Sequence, residues 1–463
     1  MFSWLATRRK GVLKVQAPPE WGIEPVPASH RILGFLDYFV LWGDLGIGLL
    51  VLLTGSFLVP GLGLPSAIIV TVAASAVGCL LLAVIGLTGS DNAVPTMVLL
   101  RPALGLRGSY LPSVLNVLQL IGWTIFEFLI MGYAADVIGK TVFGFSNTPV
   151  WTAVFALIVV LMGLGGPVGV VRQWLEKFAV WIAVGTAIWL TWHLLSTVDL
   201  ATLWSRPGDG SLPLGIAVDL VIAQPISWLP LVADYNRFAR RPGEAFWGTL
   251  VGNFITNVWF YLLGALVLLS AGVAQEPKGF VSAMALTAGW IILLILLADE
   301  THNAWADLYS ASVSVQNVFP KLKQRWLIPI LGVVAYLIAV ALDITRFENF
   351  LFLIGSFFIP LFGILVADYF VLRRRRYRVD ELYPPADKAR RMGVVNAVGI
   401  GAWIAGVTVY HVTNPLTIRA FVPLWAANLP QWTTRFGGSI PSFVTTLVIY
   451  ALLAALLTRQ TAH

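Results

Sequence analysis

The chain has 463 residues, of which 58% are hydrophobic and only 11% charged, with a formal net charge of +7. Soluble domains carry about 25% charged residues, so this composition excludes a soluble enzyme or scaffold and indicates a chain surrounded by lipid. The positive balance does not point to nucleic acid. With the N-terminus in the cytoplasm, only Lys140, Arg206, Lys278, Arg346, Arg419 and Arg435 of the 30 Lys and Arg fall outside. That asymmetry is the positive-inside signature of a multi-pass cell-membrane protein with both termini cytoplasmic.

Residues 1–33 are polar, basic and Pro-containing, and lack the apolar core of a removable signal peptide. They read as a cytoplasmic segment. Roughly twelve apolar stretches of about 18 or more residues follow. They lie near 34–58, 65–87, 111–136, 149–166, 176–197, 213–233, 246–271, 283–312, 326–343, 349–372, 393–412 and 440–458. The expectation is an all-α polytopic domain over 34–458, with 459–463 as a cytoplasmic tail.

Gly43-Asp44-Leu45-Gly46-Ile47-Gly48 interrupts the first span, and Gln224-Pro225-Ile226-Ser227 interrupts the sixth. Glycine weakens a helix and proline removes a hydrogen bond, so both spans are expected to unwind midway. Irregular backbone at membrane depth is tolerated only where it lines a cavity. Glu127 in span three and the acids of span eight repeat the offset of five spans. An odd offset inverts the second copy. Two inverted repeats are therefore expected, over 34–197 and 213–372, with two added helices over 393–458.

Between spans two and three, Asp91, Asn92, Pro95, Arg101, Pro102, Gly105, Arg107 and Gly108 alternate with apolar residues, suggesting a short interfacial helix and turn. In span three, Trp123 and Glu127 are four apart and share a helical face. An indole beside a carboxylate suits a flat heterocycle: the ring stacks, and the carboxylate accepts from an amino group and a ring N–H. The alternative is a protonated glutamic acid bonded to a neighbour. His193 sits near the end of span five, where an interfacial role is expected.

Asp234-Tyr235-Asn236-Arg237 closes span six and Asp368-Tyr369-Phe370 closes span ten. Both are read as interfacial, with aromatics in the headgroup belt and acids balancing arginines, in preference to a gating latch. Most of the nineteen Trp are assigned to the same belt. Arg373-Arg374-Arg375-Arg376 reads as a stop-transfer signal, with a lipid-binding patch as the other possibility.

Span eight is the most unusual segment. Ala298-Asp299-Glu300-Thr301-His302-Asn303-Ala304-Trp305-Ala306-Asp307 continues an apolar run from Gly289. An ionisable group at the centre of a span costs about 2.5–3.5 kcal/mol even on lenient scales, so such residues are expected to face a pathway. Glu300, Asn303 and Asp307 form one stripe, while Asp299 and His302 meet each other one turn apart. At least one acid must be protonated, or paired with His302 or a cation. An internal polar network that positions helices is the competing role.

Cys79 is alone, so no disulfide framework exists, and the scattered histidines argue against a metal cluster. No phosphate-cradling loop or nucleophile elbow is present, and no cofactor is expected.

At these motifs the chain resembles the nucleobase–cation symporter-1 family. The resemblance rests on Trp21-Gly22-Ile23-Glu24-Pro25-Val26-Pro27, Ala233-Asp234-Tyr235-Asn236-Arg237-Phe238 and Pro360-Leu361-Phe362-Gly363-Ile364-Leu365-Val366-Ala367-Asp368-Tyr369-Phe370. It implies a LeuT-like architecture of five plus five inverted helices and import of purines, pyrimidines, hydantoins, allantoin or a thiamine precursor. Carried over by position, it implies substrate contacts at Trp123 and Glu127 and at Asp307, while the interruption of the first span makes Gly43 and Asp44 candidates for the same site. The second stacking aromatic of the family falls near Pro225, with Gln224 or Trp228 as replacements. The family's sodium site falls on Ala298, Thr301 and His302, beside Asp299. Histidine is a poor sodium ligand because hard cations take oxygen.

The expected function is therefore a secondary transporter importing a nucleobase-like heterocycle, with protons favoured over sodium. A carboxylate at Glu127 favours an amino-substituted ring such as cytosine, a purine or an aminopyrimidine. An amino-acid or amine carrier of the same fold is the alternative, and a membrane-embedded transferase a more distant one, because its acids would sit at the water interface.

Overall fold

The computed structural model describes residues 22–164, 180–271, 277–383, 395–416 and 431–460. Residues 1–21 of the N-terminal segment, 165–166 of the fourth expected span, 176–179 of the fifth, 393–394 of the eleventh and the last residues 461–463 lie outside them. Every extended regular element among the described residues is a helix.

The first expected span breaks where its glycines fall. α1 (Phe35–Asp44) and α2 (Leu49–Ser56) are two halves of one crossing, bent by 59°. Gly48 opens the second half at φ +156°, a conformation open to glycine and rare for other residues. Then follow α3 (Leu64–Asn92), the four-residue α4 (Thr96–Leu99) and α5 (Arg101–Leu104), and α6 (Tyr110–Phe143). α4 and α5 are the expected interfacial turn, but their apolar residues are buried in protein.

α7 (Thr148–Gly163), α8 (Val180–Thr197) and α9 (Leu200–Ser205) lead to the sixth span. It divides into α10 (Leu214–Ser227) and α11 (Val232–Asn236). Here the sequence expectation is corrected. The helix runs through Pro225 and breaks at 228–231, where Pro230 lies. One lost amide leaves the surrounding helical bonds able to carry the chain past Pro225.

α12 (Pro242–Ala271), α13 (Pro277–Val318), α14 (Gln324–Ala339), α15 (Phe347–Val366), α16 (Val379–Leu382), α17 (Ala397–Thr413) and α18 (Ser439–Gln460) complete the chain. α13 is not the uninterrupted span expected over 283–312, since Gly289 takes φ +81° and kinks it. Seven described helices are long and apolar enough to cross a bilayer, eight with the α1/α2 pair. α7, α14 and α17 occupy expected spans but are shorter apolar helices.

Glycines decide how the broken span seats. Gly248 and Gly252, four apart on α12, meet the backbone of α1 at Phe35 and Phe39, and Gly264 meets the Leu52 carbonyl on α2. A Cβ at any of these would collide with backbone, which has nowhere to move.

The segment closing span six is also corrected. Tyr235 and Asp234 are each 1% exposed, so neither belongs to a headgroup belt. Asp234 accepts from the Thr96 amide (3.0 Å), and Asn236 accepts from Trp42 Nε1 (2.9 Å). The Tyr235 hydroxyl donates to the Ala306 carbonyl (2.9 Å), and Arg237 donates to the Gly22 carbonyl and the Tyr309 hydroxyl (2.6 and 3.0 Å). The motif knots α11 to α1, α4 and α13. A segment this polar satisfies its own groups internally because neither lipid nor a helix ladder can do so. In the span-ten counterpart the acid does pair with arginine, since Asp368 accepts from Arg373 Nε at 2.9 Å, and Tyr369 bonds Asp91, which holds Arg375; yet Tyr369 is as buried as Tyr235 and is not a belt residue either.

Candidate functional site

Ending a helix inside a membrane leaves amide groups without partners, and the acids of α13 meet that need. Glu300 Oε2 accepts from the Leu49 amide at 2.6 Å, at the start of α2. Asn303 Nδ2 donates to the Ile47 carbonyl at 2.9 Å. One residue therefore takes an orphan donor of the break and the other an orphan acceptor. A carboxylate at a helix N-terminus is further favoured by the helix dipole. The stripe of Glu300 and Asn303 was visible in the sequence; its partners on the first span were not.

Two polar groups flank this contact. In the first, Asp44 at the end of α1 lies 3.0 Å (Oδ2) from His302 Nδ1, and Asp299 Oδ1 lies 3.7 Å from the same nitrogen. All three side chains are buried. Each offers one ligand atom within 4.8 Å of the others, so they form a set able to hold a cation or share protons. Scattered histidines gave no sign of this, because Asp44 comes from a helix over 250 residues away in sequence. Thr301 spends its hydroxyl on the Ala298 carbonyl at 2.6 Å within its own helix. The fold thus brings Asp44 to the residues expected for ion coupling.

In the second group, the carboxyl groups of Glu127 on α6 and Asp307 on α13 are buried side by side. Glu127 Oε2 and Asp307 Oδ2 are buried without a hydrogen-bond partner. Trp123, one turn before Glu127, is 6% exposed, and its ring meets Phe347 and Phe350 edge-on, each 5.6 Å away. These phenylalanines of the tenth span were missed, since nothing in their spacing separates them from ordinary lipid-facing aromatics.

Gln224 and Trp228 sit at the α10/α11 break. Gln224 Oε1 and the Trp228 indole N–H are buried without partners, as is the Trp123 indole N–H. Trp228 meets Trp42 edge-on at 6.2 Å. Gln119 of α6 donates to the Ser227 carbonyl at 3.1 Å, joining the third span to this break. Gly43 stands apart, packed against Gly252 of α12.

Buried polar atoms without partners cost about 1–3 kcal/mol each, and are rare in folded chains. Donors and acceptors of this kind on α6, α10 and α13, beside two broken helices, are what a transporter site requires.

The comparisons agree on the family. A profile described as a permease for cytosine/purines, uracil, thiamine and allantoin matches residues 25–455. The chain belongs to this permease family. Relatives of this permease include a hydantoin permease of Microbacterium maritypicum, 23% identical, covering 72% of this chain and 73% of that one. A cytosine permease of Escherichia coli is 24% identical over 72% of this chain and 80% of its own. Among solved structures, Mhp1, a nucleobase-cation-symport-1 family transporter with bromovinylhydantoin bound, superposes with TM-score 0.77. It is 20% identical and 96% of each chain is covered. A Na+-coupled sialic acid symporter follows at TM-score 0.62 and 13% identity, with 96% and 93% covered. The permease is thus a multi-pass membrane protein of the LeuT-like fold and a secondary transporter. Its relatives are permeases, not enzymes.

Proposed function

We propose that this permease imports an amino-substituted nucleobase-like ring, such as cytosine, a purine or an aminopyrimidine of the hydroxymethylpyrimidine type, in symport with protons. Alternating access would move two inverted repeats, over 34–197 and 213–372, about the site, with both termini cytoplasmic. The observation that carries the substrate class is the buried Glu127–Asp307 pair, one helical turn from Trp123, with a free acceptor oxygen on each carboxyl. A ring N–H and an adjacent amino group donate to those oxygens while the indole offers a stacking face. Gln224, Trp228 and Asp307 supply further contacts in this reading. Relatives named for cytosine, allantoin and hydantoin transport support a heterocycle over an amino acid or amine.

Proton coupling draws support from His302, whose neighbours are two carboxylates, at the position the family resemblance assigns to a hydroxyl ligand of sodium. An imidazole between two acids can carry a proton, and it is ill suited to a hard cation. Proteoliposomes holding the purified permease are expected to accumulate radiolabelled cytosine or an aminopyrimidine when an inward proton gradient is imposed, without sodium. Uptake that needs sodium absolutely and ignores the pH gradient would sink the coupling.

The ring-recognition half has its own check. Glu127→Gln is expected to weaken binding of amino-substituted rings by about 1.5–3 kcal/mol, the worth of a hydrogen bond to a charged group. Rings with a carbonyl at that edge should lose less, since the amide N–H₂ then donates. Trp123→Ala should weaken both by about 1–3 kcal/mol through lost stacking. Equal losses for both ring types in Glu127→Gln would assign that carboxyl a structural role.

A further inference from the structure

The arginine run after the tenth span and the 90–110 segment play no part in transport as read above, yet the fold brings them together. Between α5 and α16 lies a cavity of about 420 Å³, lined among others by Arg101, Arg373, Arg378, Glu381, Val395 and Asn396.

Arg101 is the unusual member. It is 9% exposed, and donates from Nη1 to the Leu382 carbonyl (2.7 Å) and from Nη2 to Asn317 Oδ1 (2.6 Å). The Tyr383 ring lies 5.3 Å from its Cζ. Its Nε has no acceptor, and among the described residues no carboxylate forms an ion pair with it. Burial lowers the pKa of this guanidinium, so the charge is held at a cost that an adjacent anion would offset.

The other two arginines extend the positive lining toward solvent. Arg373 donates Nε to Asp368 at 2.9 Å from a side chain that is 41% exposed. Arg378 reaches Asp380 and Glu381 at 3.3 and 3.2 Å, but these are exposed pairs worth little in water. Arg378 can exchange such partners for a stronger one. A phosphate group takes several N–H donors at once, and arginine forks match its oxygens.

Position puts a lipid headgroup within reach. Val395 at the cavity and Val371 just before the arginine run are both more than half exposed, as lipid-facing side chains are. A phosphate on the arginines would leave an attached acyl chain lying along those valines. Basic pockets between membrane helices near the surface are a recognised setting for anionic headgroups.

We propose that this cavity binds a phosphate-bearing anion, either the headgroup of an anionic phospholipid or a free phosphate. The site is separate from the substrate and ion groups on α1, α6 and α13. Native mass spectrometry of the full-length permease in detergent tests it, with added phosphatidylglycerol, phosphatidylcholine and inorganic phosphate as three arms. Phosphatidylglycerol should bind at least tenfold more tightly than phosphatidylcholine. Arg378→Ala, at an exposed position that leaves the fold intact, should weaken that binding by about fivefold, and Arg101→Gln by more. Inorganic phosphate binding with the same arginine dependence, and without preference for an acyl chain, identifies the free anion as the source. Equal binding of the two lipids with no phosphate binding, or any binding indifferent to both Arg378→Ala and Arg101→Gln, overturns the proposal.

Discussion

Glu300→Ala is expected to abolish uptake and to lower the stability of the permease by about 2–4 kcal/mol. The carboxylate accepts from the amide of Leu49, the first donor of a half-helix that starts inside the membrane. Alanine leaves that donor facing a closely packed interior. A hydrogen bond to a charged group is worth about 1.5–3 kcal/mol, and a buried donor left unmet costs about 1–3. The acceptor is closely seated, since a Cβ at Gly48 would lie 2.6 Å from Glu300 Oε2. Glu300→Gln keeps one acceptor oxygen and should lose less of both quantities. Thermal unfolding in detergent and uptake into proteoliposomes measure the two effects separately. A Glu300→Ala protein that unfolds like the parent would show that the half-helix does not depend on this cap.

Asp219→Ala is expected to cost more in stability, about 3–5 kcal/mol. Asp219 lies on α10, 1% exposed, and accepts from the Gly438 and Ser439 amides at 2.5 and 2.9 Å, where α18 begins. Asn414, at the end of α17, adds a third donor at 2.8 Å. One carboxylate therefore ties both added helices to the broken sixth span, and its loss strands three donors together. Uptake per folded molecule should change far less than the melting temperature, because Asp219 has no contact with the Glu127 or His302 groups. A melting temperature unchanged by Asp219→Ala, or specific activity lost with the fold intact, would remove the tethering role.

Much of this protein was legible without coordinates. Composition set the class, since lipid tolerates so few arrangements of backbone. Apolar stretches marked where the long helices lie, and glycines marked the break in the first of them, where no side chain competes with their conformational freedom. The face shared by Trp123 and Glu127 followed from helical periodicity, as did the meeting of Asp299 with His302.

What remained hidden depended on distance along the chain. Pro225 and Pro230 carry the same local signal, and only packing chose the second as the break. The Asp234-Tyr235-Asn236-Arg237 segment looks interfacial by composition, yet each of its four side chains bonds an element remote in sequence. Asp44 joined His302, and Glu300 met Leu49, across more than 250 residues of chain. Periodicity reports which side chains share a face of one helix. Which two faces meet is decided by close packing between helices, here through glycines such as Gly252 and Gly264, and only the tertiary structure holds that.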